Sequence, residues 1–590
     1  MCGLAGLMTR KGAPDGGVLS RLERALVHRG PDGTGGHVAG PLGLVHTRLA
    51  IIDLATGDQP LKDGAGRALV ANGEIYNYIE LRTELGEGRF TTHSDCEPPL
   101  ALIGDKGAAF GDGLRGMYAI AAGEADGTRA YLARDPFGIK PLYYHENAEG
   151  IAFASEPRAF FAAGRLQPKL VPAKIRELLQ LQFTTGAATI FDGVFRVLPG
   201  ETHTLENGRI AARMRRDALP AGGPRDLTEA EALKLLDAAL MDSVTVHQRS
   251  DVPYGMFLSG GIDSSAILAC MRVLNERPVE AFTVGFTGTG VADERALAER
   301  VARAAGAHFH PVDFTEQDFW SVLPRVAEAL DDPVADYAVL PTYRLGEYVK
   351  QQGLKVVLSG EGGDELFAGY GRYRRLLRPR WLGGRAMRAH GLMDGMGVLR
   401  ETPTGWRDGI EAAERVAALP GRTRLQAAQA ADCADWLAND LLTKLDRCLM
   451  AHGVEGRTPM LDARVAEVAM LLPDRLKIRG GKGKYLLRRW LANHLPEADP
   501  FSKKRGFTVP VAHWIGRKGR AIGALVAKQE GVREVCDPDR VAALFASLES
   551  KPDNHAGQAA WTLLFYALWH RHHIEGRAYE GDAFAVLSEK

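Results

Sequence analysis

The stretch that most constrains this chain is Phe257-Leu258-Ser259-Gly260-Gly261-Ile262-Asp263-Ser264-Ser265. Apolar Met256, Phe257 and Leu258 read as a buried strand, and Ala266-Ile267-Leu268-Ala269 reads as a helix opening. A strand that breaks into a glycine loop and restarts as a helix aims backbone N–H groups and a helix N-terminus at one point, which suits an anion. No Gly-Lys-Ser or Gly-Lys-Thr closes the loop, so it is not a Walker A element. By itself Ser-Gly-Gly is equally an ordinary strand-to-helix turn; Asp263 and the neighbouring serines favour the anion.

The same pattern recurs. Leu354-Lys355-Val356-Val357-Leu358 is a second buried-strand candidate that runs straight into Ser359-Gly360-Glu361-Gly362-Gly363-Asp364-Glu365. Residues 281–286 read as a strand and 294–305 as a helix, so the region predicts a parallel α/β sheet with ligands at the strand C-terminal ends. Asp263 and Asp364 at neighbouring strand ends are expected to hold Mg²⁺ on triphosphate oxygens, a hard ion suited to carboxylates. Glu361 and Lys484 then remain for proton handling and for charge on the breaking bond.

Composition limits the alternatives. A chain of 590 residues is too long for one core and implies several domains. Lysine plus arginine equals aspartate plus glutamate at 73 each, so no global field recruits nucleic acid or acidic lipid, and any anion site is local. No run reaches the length of a membrane span, and no basic-then-apolar signal opens the chain. The six cysteines are scattered without a Cys-x-x-Cys pair, which argues against zinc ribbons and disulfide frameworks and fits a reducing cytoplasm. The arginines of residues 372–380 are expected as a solvated arm, and Trp569-His570-Arg571-His572-His573 as a polar helix terminus rather than a metal site.

The first 200 residues carry separate chemistry. Cys2 follows the initiator methionine, so removal of Met1 would leave an α-amino group of pKa about 7.7–8.0 beside its own thiol, base and nucleophile in one residue. His28-Arg29-Gly30-Pro31-Asp32 reads as a turn, and Arg48 ends a strand where its guanidinium would fork a carboxylate. Asn72-Gly73, within Ala71-Asn72-Gly73-Glu74-Ile75-Tyr76-Asn77, reads as a tight hairpin turn or as a pair of oxyanion donors. Asp95 either pairs with an ammonium or caps the helix beginning near Pro98.

Taken together, Cys2-Gly3, 28–32, Arg48, 72–74, Asp95 and Arg134-Asp135-Pro136-Phe137-Gly138-Ile139-Lys140-Pro141 resemble a class II glutamine amidotransferase domain. The resemblance implies an N-terminal-nucleophile hydrolase sandwich of stacked β-sheets between helical layers. It makes Cys2 the nucleophile and Asn72 and Gly73 the oxyanion hole, with Arg48, Asn72, Glu74 and Asp95 holding glutamine. The second half resembles an N-type ATP pyrophosphatase, and the whole resembles the glutamine-hydrolysing asparagine synthetase family. Matching elements include Leu442-Thr443-Lys444-Leu445-Asp446-Arg447, Glu455-x-Arg457-x-Pro459-x-Leu461-Asp462, Gly483-Lys484-Tyr485 and the motif at 503–507. The family implies a parallel-sheet α/β domain with extra helices, binding ATP through Leu258, Ser259, Gly260, Gly261, Asp263, Ser264, Ser265, Val284, Ser359, Gly360 and Lys484.

The expected division is residues 1–212, a linker at 213–227, and 228–590. The expected substrates are glutamine, ATP and an aspartate side chain, with AMP and pyrophosphate as products, ammonia carried through an internal tunnel, no nucleic-acid or membrane partner, and room for a homodimer. Two departures bear on the acceptor: Gly363 stands where serine is expected, and Gly453-Val454-Glu455-Gly456-Arg457-Thr458-Pro459-Met460 is looser than the usual pattern. Another carboxylate, on a peptide or cell-surface sugar acid, is the alternative acceptor, and a glutamine or nucleotide sensor the non-enzymatic alternative.

Overall fold

The computed structural model describes residues 2–287, 294–502 and 509–589. The motif at 503–507 lies outside the described residues.

The first half is a four-layer sandwich. One six-stranded antiparallel sheet runs Phe195–Arg196, Tyr143–Glu146, Gly150–Ala154, Gly3–Thr9, Leu42–Arg48, Gly33–Ala39; the other runs Arg209–Arg215, Glu201–Glu206, Arg129–Arg134, Gly116–Gly123, Ala68–Ile75, Leu61–Lys62. Side-chain alternation along each strand builds the layers. From the Ala68–Ile75 strand, Ala68 and Val70 meet Leu4, Met8 and Leu44 between the sheets. Its neighbours Leu69 and Ala71 point the other way, onto Leu100 and Ile103 of the Pro98–Lys106 helix. On the far side, Val18, Leu19 and Leu22 of the Gly16–Arg24 helix cover Ala5 and Leu7. The last strand reaches Arg215, into the stretch expected as linker.

The second half begins with the Glu229–His247 helix, whose Thr228 and Glu231 form a capping box. A five-stranded sheet follows in the order His308–Phe314, Glu280–Phe286, Tyr254–Phe257, Val356–Leu358, Glu455–Arg457, with every pairing parallel. The chain leaves the central Tyr254–Phe257 strand toward one edge and later returns to its other side, so the crevice at the strand C-terminal ends lies between the two glycine loops. Helices enclose the sheet. One of them continues from Arg424–Ala431 through a π-helical stretch, Asp432–Leu442, into Thr443–Met450. Such wide turns recur at functional sites because they re-aim the side chains they carry.

Three local expectations change. Asn72-Gly73 is no hairpin: both lie inside the Ala68–Ile75 strand, paired with Ala119 and Tyr118. Gly73 is needed for another reason, since its φ is +154° and a Cβ would fall 2.0 Å from the Met117 carbonyl. Asp95 caps no helix; it accepts from the Ile75 N–H at 2.7 Å. Arg372 is not a solvated arm but lies against Tyr370 and Trp436 and pairs with buried Asp432. His570 is buried at the end of the Asn554–His573 helix, in keeping with a helix terminus. No helix among the described residues is long and apolar enough to cross a membrane.

Candidate active site

Two sites form, one in each half. At the first, Cys2 immediately precedes the Gly3–Thr9 strand, whose pairing of Gly3 with Thr47 sets Cys2 beside the end of the Leu42–Arg48 strand. The Cys2 backbone nitrogen donates to Asn72 Oδ1 at 3.0 Å, and its thiol faces the Leu49 carbonyl at 3.9 Å. Buried Arg29 holds the Cys2 carbonyl at 3.1 Å and is itself clamped by Asp446 and Glu156. Asn72 is fully buried, and with Oδ1 engaged its Nδ2 has no hydrogen-bond partner among the described residues. A buried amide with an unmade donor beside a thiol is what an oxyanion requires. Burial pushes the Cys2 thiol up, with nearby Arg48 working the other way.

The surroundings are anionic. Glu74 and Asp95 are 4% and 5% exposed, a degree of burial that raises the proton affinity of both. Burial pushes Asp95 up to about 6, and burial followed by the nearby charges of Asp95 and Glu455 pushes Glu74 up as well. Such a cluster suits a substrate ammonium. Arg48 is buried nearby, its guanidinium on the Asp53 carbonyl and on Asp58 Oδ1 at 2.6 Å. Because the Asp58 side chain is 83% exposed, an incoming carboxylate can replace it on the fork.

At the second site the two loops close on each other. Gly260 has φ +67°, Ser259 Oγ lies 3.1 Å from Ser264 Oγ and accepts from the Gly261 N–H at 3.2 Å, and Asp263 lies in the first turn of the Ile262–Leu274 helix. Ser259 and Gly261 are exposed, whereas Leu258, Ser264 and Ser265 are buried, and Ser265 Oγ has no partner among the described residues. Val284 is buried in the adjacent strand.

From the other loop, Gly360 packs so closely on Asp263 and Ser264 that a Cβ would lie 3.0 Å from each. The Lys484 ammonium contacts Asp263 and lies 2.8 Å from Asp364 Oδ1. One cation thus spans both carboxylates predicted to hold metal. Gly363 has a physical reason here, because a Cβ would fall 2.3 Å from Asp263 Oδ1. Glu361 faces a different cation, with Oε1 3.5 Å from Lys444 Nζ. Among the described residues no cluster of three or more metal-binding side chains occurs. A cavity of about 520 Å³ near Ala413 and Asp435 shares no residue with either site.

What the motifs did not show is how the sites connect. The Arg457 guanidinium lies 3.3 Å from Glu74 Oε2 and 2.6 Å from Glu455 Oε1, while its carbonyl accepts from the Ser359 N–H at 2.7 Å. One residue therefore touches a carboxylate of the first site and the backbone of the second. The motif carrying Arg457 is visible in the sequence, but its partner Glu74 lies more than 380 positions away.

Comparison with known proteins decides the family. Residues 235–571 match the family model described as asparagine synthase, and residues 1–215 match the glutamine amidotransferase domain. The chain belongs to the asparagine synthase family. It is 32% identical to asparagine synthetase [glutamine-hydrolyzing] 1 of Bacillus subtilis, across 98% of both chains. It is 34% identical to a putative asparagine synthetase [glutamine-hydrolyzing] of Mycobacterium bovis over the same share of each. With asparagine synthetase B [glutamine-hydrolyzing] of Escherichia coli it shares 30% over 86% of this chain and 82% of that one. In this chain the sandwich is the glutamine amidotransferase half, and the parallel sheet carries the ATP-dependent ligase half.

Proposed function

We propose that this protein is a glutamine-dependent asparagine synthetase, built as a glutaminase at 1–212, a linker at 213–227 and a synthetase at 228–590. The observation that carries this reading is the Cys2–Asn72 pair on one side of Arg457 and the two interlocked glycine loops on the other.

With Met1 removed, the Cys2 nitrogen held by Asn72 Oδ1 is an amine able to take the thiol proton. The thiolate attacks the glutamine carboxamide, and Asn72 Nδ2 and the Gly73 N–H hold the oxyanion. Arg48 takes the glutamine carboxylate, and Glu74 and Asp95 take its ammonium. Ammonia leaves, and water then releases glutamate from Cys2.

At the synthetase site ATP lies along Leu258 and Val284, with its phosphates on Ser259, Gly260, Gly261, Ser264, Ser265, Ser359 and Gly360. Asp263 and Asp364 already share one cation in Lys484, so their oxygens fit Mg²⁺. When bound, that ion neutralises triphosphate charge. Lys484 steadies the breaking P–O bond as the aspartate side chain is adenylated and pyrophosphate leaves. Glu361 takes the proton from ammonia as it displaces AMP.

The test is a pair of variants. Cys2→Ala is expected to lose glutamine-dependent synthesis while ammonia-dependent synthesis continues, and Asp263→Asn is expected to lose AMP formation. Loss of both ammonia- and glutamine-dependent synthesis in Cys2→Ala, or ATP cleavage to ADP, overturns the assignment. Pyrophosphate release with another carboxylate but not with aspartate would move the acceptor.

A further inference from the structure

The π-helical stretch Asp432–Leu442 brings an unusual pair together. Trp436 is its centre. Two guanidiniums lie against this indole, that of Arg372 at 4.1 Å and that of Arg388 at 4.5 Å from the ring centroid. Arg372 is satisfied, donating to Asp432 at 2.8 and 3.0 Å. Arg388 is not.

Its nearest carboxylate oxygen, Asp432 Oδ1, is 3.9 Å away, beyond hydrogen-bond reach, and buried Nε and Nη2 have no partner among the described residues. The Arg388 side chain is 16% exposed and its backbone sits at φ +47°, a conformation kept only where surroundings impose it. At the edge of the same indole, Nε1 donates to Asp440 Oδ2 at 2.5 Å, while Asp440 Oδ1 is buried without a partner. Arg388 and Asp440 act on each other electrostatically without bonding.

A cation with unmade donors and an anion with an unmade acceptor, fixed on one ring, are costly unless something supplies both complements. The arrangement points toward the chemistry. Lys444, four residues beyond Asp440 on the continuing helix, places Nζ 3.5 Å from Glu361 Oε1 and 3.5 Å from Asp336 Oδ2.

We infer that Arg388 and Asp440 bind the α-carboxylate and α-ammonium of an amino-acid acceptor, with the reacting carboxylate directed past Lys444 toward Glu361. This rests on the synthetase reading above and deepens it: the acceptor is a free α-amino acid with an acidic side chain. A sugar acid or an internal peptide residue lacks one or both of those charges.

The experiment measures acceptor-dependent pyrophosphate release by the full-length enzyme with glutamine and MgATP. Three acceptors share the reacting carboxylate: L-aspartate, β-alanine, which lacks the α-carboxylate, and succinate, which lacks the amine. Wild-type kcat/KM should be at least about a hundredfold lower for each analogue than for aspartate, because each leaves a buried charge unpaired. Arg388→Met should shrink the aspartate to β-alanine ratio by about tenfold or more, and Asp440→Asn should do the same for aspartate to succinate. Glutamine hydrolysis on the same preparations reports that each variant is folded. If wild type uses aspartate but accepts either analogue comparably, or if folded variants keep the wild-type ratios, the subsite is wrong and the synthetase reading survives. If wild type releases no pyrophosphate with aspartate, both fall.

Discussion

Replacing Arg457 by methionine tests the junction between the two sites. Its guanidinium bonds Glu455 Oε1 at 2.6 Å and the carbonyls of His247 and Arg249 at 2.9 and 2.6 Å, and lies 3.3 Å from Glu74 Oε2. Methionine keeps much of the apolar stem but leaves both carboxylates buried without this cation. Removing one partner of a buried ion pair costs about 3–5 kcal/mol. Each carbonyl left without a donor adds about 1–3 kcal/mol. All these contacts share one guanidinium and do not add independently. A loss of about 4 kcal/mol follows, a large part of a typical stability of about 5–15 kcal/mol. It should appear as a clear fall in the urea midpoint.

The functional effect has a sign. Burial, Asp95 and Glu455 raise the Glu74 carboxyl and Arg457 opposes them, so without Arg457 it is protonated to still higher pH. The ammonium of glutamine then loses a partner, and KM for glutamine should rise by about tenfold, or 1.4 kcal/mol. The penalty should shrink as pH rises and Glu74 ionises. Glutamate release measured over a pH series gives these constants for Arg457→Met and for Arg457→Met/Glu74→Gln, whose KM should be flat above about pH 7, where Asp95, pushed up to about 6, stays ionised. An unchanged urea midpoint, or a KM increase with no pH dependence, would refute the assignment of Arg457 as the counter-charge.

Asn72→Ala should lower kcat for glutamine hydrolysis by about 10²–10³ and spare ammonia-dependent synthesis, because it removes one oxyanion donor; an equal loss of both activities would show that Asn72 holds the fold instead. The ligand-free enzyme should gain stability as pH is lowered from 8 toward 6, because burial pushes Glu365 up to about 8 and Asp440 up to about 7, and each destabilises the fold when ionised. Below about 4.5 stability should fall again: although burial opposes ionisation, the charges of His28, Arg447 and Arg158 hold Glu156 well below its usual value of 4.5, and that contribution is lost as it protonates. Melting temperatures across this range check both limbs, and a monotonic profile would contradict them.

Local pattern carried the strand-loop-helix units, since the residues that bury the Tyr254–Phe257 strand and open the Ile262–Leu274 helix are consecutive. The bringing together of Asp263 and Asp364 was legible for the same reason, each standing in a glycine loop that directly follows one strand. Asn72-Gly73 misled because the dipeptide suits a tight turn, whereas the strand it occupies requires glycine for close approach to Met117. The Arg457–Glu74 contact was illegible because nothing in either motif names its partner across the two halves.

The acceptor region was opaque for a deeper reason. Arg388 acquires meaning only beside Trp436, which is 48 positions away in the chain and set in a helical geometry that no periodicity announces. Phosphate loops are read by backbone amides and small residues, which leave a compact signature in sequence. An acceptor pocket built from side chains on separate segments leaves none, so the reaction can be recognised while its specificity has to be read from the assembled structure.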